Sequence, residues 1–285
     1  EFKTKMSSYY IYESITGEKS KQMIADFAVL NLNSNYRVLK NGNPFNETQT
    51  SYFHKSIGGY HGAKLKRFQQ LVDFYILQEY SLISQNASKF GSAIFQYTPV
   101  LNMLNMKYFI NDANKDALVN PLAFGNAWFV SNIKTVKSTD EEILALVDST
   151  LDLRNTAIIH QEFKGVKAPK SVDASASITL TKYGLNKLVY QSTSSVECPA
   201  IFSEIYYPKG WNCFIDGKQV ETFRANYILR GVLVPAGNHK IEWKFEPKSM
   251  QTGSLVSGIG SALLIVSCLL VFFFEVKTNI KDENG

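Results

Sequence analysis

Leu255 to Phe274, LVSGIGSALLIVSCLLVFFF, is a run of 20 residues without one charged side chain. At about 1.5 Å of rise per residue, a helix of this length spans roughly the 30 Å hydrocarbon core of a bilayer. The competing reading is a buried core helix. Apolarity on every face and a position near the C-terminus favour a membrane span instead. Within it Gly258, Gly260, Ser261 and Ala262 form a small-residue stretch of the kind that packs on other membrane helices, although small residues are common in spans anyway. Lys240, Lys244 and Lys248 precede the run and Lys277 and Lys281 follow it. Three lysines against two do not set an orientation. Size says more, since 254 residues precede the run and 11 follow it.

Working back from the span, the chain from 175 to 250 has a period of two. Ile178/Leu180, Leu188/Tyr190, Ile201 to Tyr207, Trp211 to Ile215, Tyr227 to Val234 and Ile241/Trp243/Phe245 alternate or run as buried strands. Asp216-Gly217 is a two-residue hairpin turn, and Pro235-Ala236-Gly237-Asn238 marks another reversal. Six or more short strands at this spacing predict an antiparallel β-sandwich, placed directly on the membrane. The polar stretch around 166–174 reads as a linker.

Residues 1–165 predict an α+β domain. Glu18 to Asn31 reads as a helix, or as a helix running into a strand at Phe27 to Leu30; strands are expected at Tyr36 to Leu39, Lys107 to Ile110, Ala127 to Val130 and Thr156 to Ile159, and turn chemistry from Lys40 to Asn46. From Ala63 to Ser84 apolar residues recur at three- and four-residue spacing, which predicts a helix. A short helix follows at Val100 to Leu104. Ser138-Thr139-Asp140-Glu141-Glu142 is a helix start, with a hydroxyl cap and acids in the first turn. The expected architecture is thus an α+β domain followed by an antiparallel β-sandwich and one C-terminal transmembrane helix, with a tail at 275–285.

Composition narrows the function classes. Hydrophobic residues make up 45% and charged residues 19%, enough apolar material for one or two cores. The net charge of +5 is spread along the chain, which argues against nucleic-acid binding. Of three cysteines, Cys268 lies in the span. Cys198 and Cys213 are expected as free thiols, because they flank a turn at Pro208 to Gly210 whose pairing would place Cys198 opposite a residue near 220. No cysteine spacing suits a metal. The chain opens on Glu1-Phe2-Lys3 with no initiator Met and no apolar leader, so a fragment of a longer membrane protein is expected.

Two clusters carry candidate chemistry. The first is the segment Ser51 to Lys64, SYFHKSIGGYHGAK. Its two histidines lack the spacing and the neighbouring carboxylate that zinc requires. Its glycines open onto the start of a helix, where free N–H groups and the dipole favour an anion. His54, Lys55, Gly58, Gly59, Tyr60, His61, Lys64 and Arg67 are the candidates for holding a phosphate or glycosyl-phosphate group. A structural turn carrying solvated bases fits the same residues. The second cluster, Trp211, Arg224 and Tyr227 with Asp216 and Arg230, places aromatic and polar groups on a β-face that could bind a sugar; a tryptophan buried in the sheet core is the alternative. No Ser-His-Asp set, acid pair or nucleotide-binding glycine pattern is present, and no catalytic residue is assigned.

Several stretches are more specific than such patterns. They are Pro44-Phe45-Asn46 with the Ser51 to Leu65 segment, Met103 to Tyr108, Gly125 to Phe129, Ser203 to Trp211, Ile215 to Lys218, Arg224 to Tyr227, Val234 to Gly237 and Phe245-Glu246-Pro247. Together they resemble the C-terminal part of YfhO-family bacterial membrane proteins, in the form common in Bacteroidetes. The resemblance covers the chain from about Asn31 onward. It implies a polytopic protein similar to GT-C glycosyltransferases, using polyprenyl-phosphate sugars on cell-envelope substrates, with the catalytic acid in an early loop outside this chain. It implies no cofactor for this stretch, a polyprenyl-phosphate sugar donor for the whole protein, and a bacterial inner-membrane location. The bilayer, further transmembrane helices of the same protein and a glycan or lipid-phosphate ligand are the implied partners. The large part would lie outside the cytoplasm and residues 275–285 inside. A non-enzymatic envelope module that binds glycans or a protein partner is the other class of function the sequence allows.

Overall fold

The computed structural model describes residues 35–60, 62–112, 116–171 and 173–282. The helix, or helix and strand, expected over Glu18 to Asn31 lies outside them, as does His61. A short strand, β1 (Arg37–Lys40), is followed by a one-turn helix, α1 (Gln49–Phe53), and then by a long helical stretch. That stretch runs as α2 (Lys66–Leu71), a wider π-turn over Val72–Ile76, and α3 (Leu77–Phe90). A 3-10 segment at Gly91–Tyr97 leads into α4 (Pro99–Met103), with Pro99 at the first helical position, where its missing N–H costs nothing. Next come β2 (Met106–Ile110), β3 (Leu118–Val119), β4 (Ala127–Phe129) and β5 (Asn132–Val136). The expected cap is present on α5 (Thr139–Leu144): Ser138 Oγ accepts from the Glu141 N–H at 3.1 Å.

The remaining strands are β6 (Thr156–His160), β7 (Ser177–Tyr183), β8 (Lys187–Ser194), β9 (Cys198–Ile205), β10 (Trp211–Ile215), β11 (Lys218–Val220), β12 (Thr222–Ala225), β13 (Leu229–Val234) and β14 (Gly237–Phe245). Two of the three sheets form the sandwich, in the orders β11-β10-β14-β8-β7 and β4-β9-β13-β12-β6-β5. The third is β1-β2-β3. Pairing is antiparallel except for β1 on β2 and β5 on β6. Asp216 and Gly217 take φ of 49° and 84°, the left-handed turn that matches strand twist and joins β10 to β11.

The six-stranded sheet is covered on both faces. Ala200 and Phe202 face the five-stranded sheet, in a core with Tyr190, Val232, Ile241 and Trp243. Ile201 faces the helices, in a larger core with Leu71, Ile76, Leu101, Phe109 and Leu146. β9 is therefore buried on both sides, which is why its sequence is a continuous apolar run rather than an alternation. Strand pairing also crosses the 166–174 segment: β4 lies on β9, and Ile159 of β6 pairs with Ala225 of β12.

One expected pairing is corrected. β9 and β10 flank the turn at Pro208 to Gly210 but lie in different sheets. Cys198 sits opposite Val234, while Cys213 sits opposite Val220 and Trp243. A turn reverses the chain without choosing the sheet that the next strand joins. Both thiols are free and buried, and burial pushes Cys198 up to about 11.

The last element is α6 (Lys248–Asp282), separated from β14 by two residues. Its stretch Lys248–Phe272 is long and apolar enough to cross a membrane, and none of its most apolar window is buried against the rest of the chain. Side chains from 252 to 272 are exposed on every face, as expected of a helix whose solvent is lipid.

Candidate functional site

From Lys55 to Gly59 the glycine-rich segment is a loop laid along β1. Val38 N–H donates to the Lys55 carbonyl at 2.9 Å, and Ile57 N–H donates to the Val38 carbonyl at 3.0 Å. Pro44 fixes the far side of the loop, its carbonyl accepting from Gly59 N–H at 2.6 Å. The same oxygen occupies the place a Cβ on Gly58 would need. Gly59 has φ +113° and would bring a Cβ to 2.7 Å from Ser51 Oγ. Both glycines are therefore demanded by close backbone approach, and Gly59 by conformation as well.

So folded, the loop forms one wall of a cavity of about 280 Å³, lined by Arg37, Ser56, Ile57, Gly58, Ala63, Leu65, Phe68, Leu104 and Ile205. It is mainly apolar, with one guanidinium. Arg37 Nη1 donates to the Leu104 carbonyl at 2.8 Å, and Nη2 lies 3.1 Å from Glu204 Oε1.

The basic residues of the segment diverge from this cavity. Lys55 stacks its ammonium 3.2 Å over the Tyr183 ring, and Lys64 lies 5.5 Å over the Phe45 ring. His54 is buried beneath the loop, and Tyr60 is 68% exposed. Arg67 reaches a different place. Its Nη1 is 3.0 Å from Glu142 Oε2, and its guanidinium covers the Tyr227 ring at 4.6 Å.

That place is a four-member ion network around a fully buried carboxylate. Glu142 also receives Arg224 Nε at 3.2 Å, and Arg224 Nη2 donates to Glu162 Oε1 at 2.8 Å. Burial alone would lower the Arg224 guanidinium, but its bonds to Glu142 and Glu162 outweigh that and hold it above its ordinary value. Two arginines and two glutamates balance to zero net charge. Tyr227 takes φ 71° beside Asn226 at 48°, a backbone state that asparagine tolerates and a tyrosine seldom adopts. Asn226 Oδ1 accepting from Ile158 N–H at 2.8 Å and Tyr227 Oη donating to Gln70 at 2.8 Å hold the bend.

Arg224 and Tyr227 thus join Arg67, whereas Trp211 stands apart on β10. Its ring stacks on Arg230 at 4.1 Å and on Phe245 at 5.3 Å. Asp216 is a turn residue, 2.6 Å from His239 Nδ1. Among the described residues no group of His, Cys, Asp and Glu is arranged to hold a metal.

The sequence profile described as "Bacterial membrane protein YfhO" matches residues 103–257, more than half of the chain. The chain belongs to the YfhO family. Its matched part takes in Glu142, Glu204, Arg224, Tyr227 and Arg230, and it begins after the glycine-rich loop. A protein from Bacillus subtilis (strain 168) named "Uncharacterized protein YfhO" is 25% identical over 129 residues, 45% of this chain. The matched stretch spans 14% of that relative's length. No solved structure matches the chain. With the span in α6, family membership makes this a membrane protein.

Sequence reasoning missed Arg37, Glu142, Glu204 and, as more than an accessory, Arg230. For Arg37, Glu204 and Arg230 the signal was present, since each stands beside apolar strand residues and such charges are buried only with partners; Glu142 carried none, because it follows Asp140 and Glu141 in an acidic first turn.

Proposed function

We propose that this chain is the part of a YfhO-type membrane protein that shapes the substrate site of a GT-C-like glycosyltransferase outside the cytoplasm. The donor would be a polyprenyl-phosphate sugar and the acceptor a cell-envelope glycan. The observation that carries the reading is the cavity of about 280 Å³ whose wall is the glycine-rich loop. Apolar walls with one arginine suit an amphipathic ligand better than a free ion. The family match and the exposed apolar helix α6 support a setting at the bilayer. In this reading further spans of the whole protein pack beside α6, residues 275–285 are cytoplasmic, and the catalytic acid lies elsewhere in the protein.

The test uses the full-length protein in membranes with a radiolabelled polyprenyl-phosphate sugar. Ala63 lines the cavity and is exposed, so Ala63→Phe fills the space without breaking a hydrogen bond. Transfer is expected to fall at least tenfold while melting temperature is kept. Undiminished transfer in the filled variant would remove the cavity from the substrate site. Sidedness is read separately: a Tyr60→Cys variant should react with a membrane-impermeant maleimide in intact spheroplasts. A glycan-binding module working through Tyr227 and Trp211 fits less well, because Tyr227 is 1% exposed and Arg230 covers the Trp211 ring.

A further inference from the structure

One end of the sandwich core holds a buried charge to which no carboxylate is bonded. Arg230 faces inward from β13 and is 4% exposed. Its Nε donates to the Ile205 carbonyl at 2.8 Å, and Nη1 has no hydrogen-bond partner. The guanidinium lies between two indoles, 4.1 Å from Trp211 and 5.2 Å from Trp243. Across from it, on the paired strands β8 and β14, Tyr190 and Trp243 are diagonal neighbours facing the same core, since Tyr190 pairs with Ile241. They pack on Phe202 at 4.8 and 5.3 Å. Tyr190 Oη and Trp243 Nε1 are also buried without partners.

Three unmet polar groups from two facing sheets thus share one part of the core: the Arg230 charge acts on the Tyr190 hydroxyl, and its guanidinium lies 5.2 Å from the Trp243 ring. Two of them, Arg230 Nη1 and Trp243 Nε1, can only donate, and the tyrosine hydroxyl can donate. No carboxylate among the described residues lies within 4 Å of Arg230. Glu204, the acid that acts on Arg230, is paired with Arg37. Arg37, Arg230 and Glu204 therefore leave one positive charge over. Stacked indoles stabilise a guanidinium partly, but an isolated buried charge still calls for a counter-charge. A water molecule would accept these bonds without neutralising the arginine.

We propose that Arg230, Tyr190 and Trp243 form a binding site for a compact anion, with half-buried Trp211 as its outer wall. Either chloride or a phosphate group has the required chemistry, a negative charge with several acceptor directions. The site does not depend on glycosyl transfer, and its readout is binding.

The experiment takes the full chain in detergent at constant ionic strength, set with sodium gluconate, a bulky anion that serves as the reference for the compact ones. Gluconate is replaced stepwise by chloride in one arm and by inorganic phosphate in the other. Melting temperature and tryptophan emission are followed. A saturable rise in melting temperature with a parallel change in emission is expected in at least one arm, and the arm that saturates names the ion. Tyr190→Phe should weaken the apparent affinity about tenfold, and Arg230→Met should abolish the saturable part. Should Arg230→Met fail to fold, Trp243→Phe replaces it with the same expectation as Tyr190→Phe. No saturable change in either arm overturns the site. So does a response of equal affinity in Tyr190→Phe.

Discussion

Gly58 is the residue on which the loop's shape turns. A methyl group there meets the Pro44 carbonyl, which is itself engaged with Gly59 N–H and cannot swing away. Gly58→Ala should lower stability by about 1–3 kcal/mol, read as a fall in melting temperature. Gly62→Ala, with open space around it, should leave the melt unchanged. Glu79 offers a second test at this scale. It is 7% exposed and caps α4 from a distance, accepting from Val100 N–H at 3.0 Å and from Leu101 N–H at 2.8 Å. Burial pushes its carboxyl up from 4.5 to about 8, against the pull of those two bonds. The folded value lies above the unfolded one, so its contribution is full below about pH 4.5 and is lost as pH rises towards 8. Stability should fall by roughly 1.4 kcal/mol per pH unit inside that window. Denaturant titrations in Glu79→Gln should lack this slope, and an unchanged slope would assign it to other groups. The glycine pair was legible as a turn from sequence. The destinations of Lys55, Lys64 and Arg67 were not, because closeness along a loop does not fix where long side chains reach.

Between elements, Glu142 ties α2, α5 and β12 through Arg67 and Arg224. Removing one partner of a buried pair strands the other, at a cost of about 3–5 kcal/mol. Arg224→Met should therefore be severely destabilising, and Glu142→Gln comparably so. In a double-mutant cycle measured by denaturant unfolding, the paired change should cost less than the sum of the single ones; simple additivity would mean the contact carries little. Local signals gave several elements correctly, including the Ser138 cap and the Asp216-Gly217 turn. β5 escaped because Asn132–Val136 carries only two apolar side chains, Ile133 and Val136, which do not alternate with period two. It is an edge strand, held by parallel pairing to β6 and largely exposed. The sheet chosen by each strand was also illegible, since it depends on contacts 70 residues apart, as between β4 and β9.

For the whole molecule, that long-range pairing has a practical reading. A cut at 166–174 would separate β4 and β6 from β9 and β12, exposing the sheet's two-sided core. Residues 35–165 expressed alone should aggregate or show no cooperative melt, and a sharp melt would show that they fold independently. The span was the most legible feature, because length and apolarity alone define it. The chain should stay with membranes through an alkaline carbonate wash, and deleting 248–285 should release it; retention after the deletion would point to a second membrane contact. Only Glu246 and Pro247 separate α6 from β14, and β14 lies inside its sheet, hydrogen-bonded to β10 on one side and β8 on the other. Mechanical load passing through the helix therefore enters the sandwich at the end of a central strand. Drawing that strand out lengthwise means shearing two ladders at once, whereas an edge strand would unzip one bond at a time. The anchorage point is thus the part of the sheet best placed to bear tension.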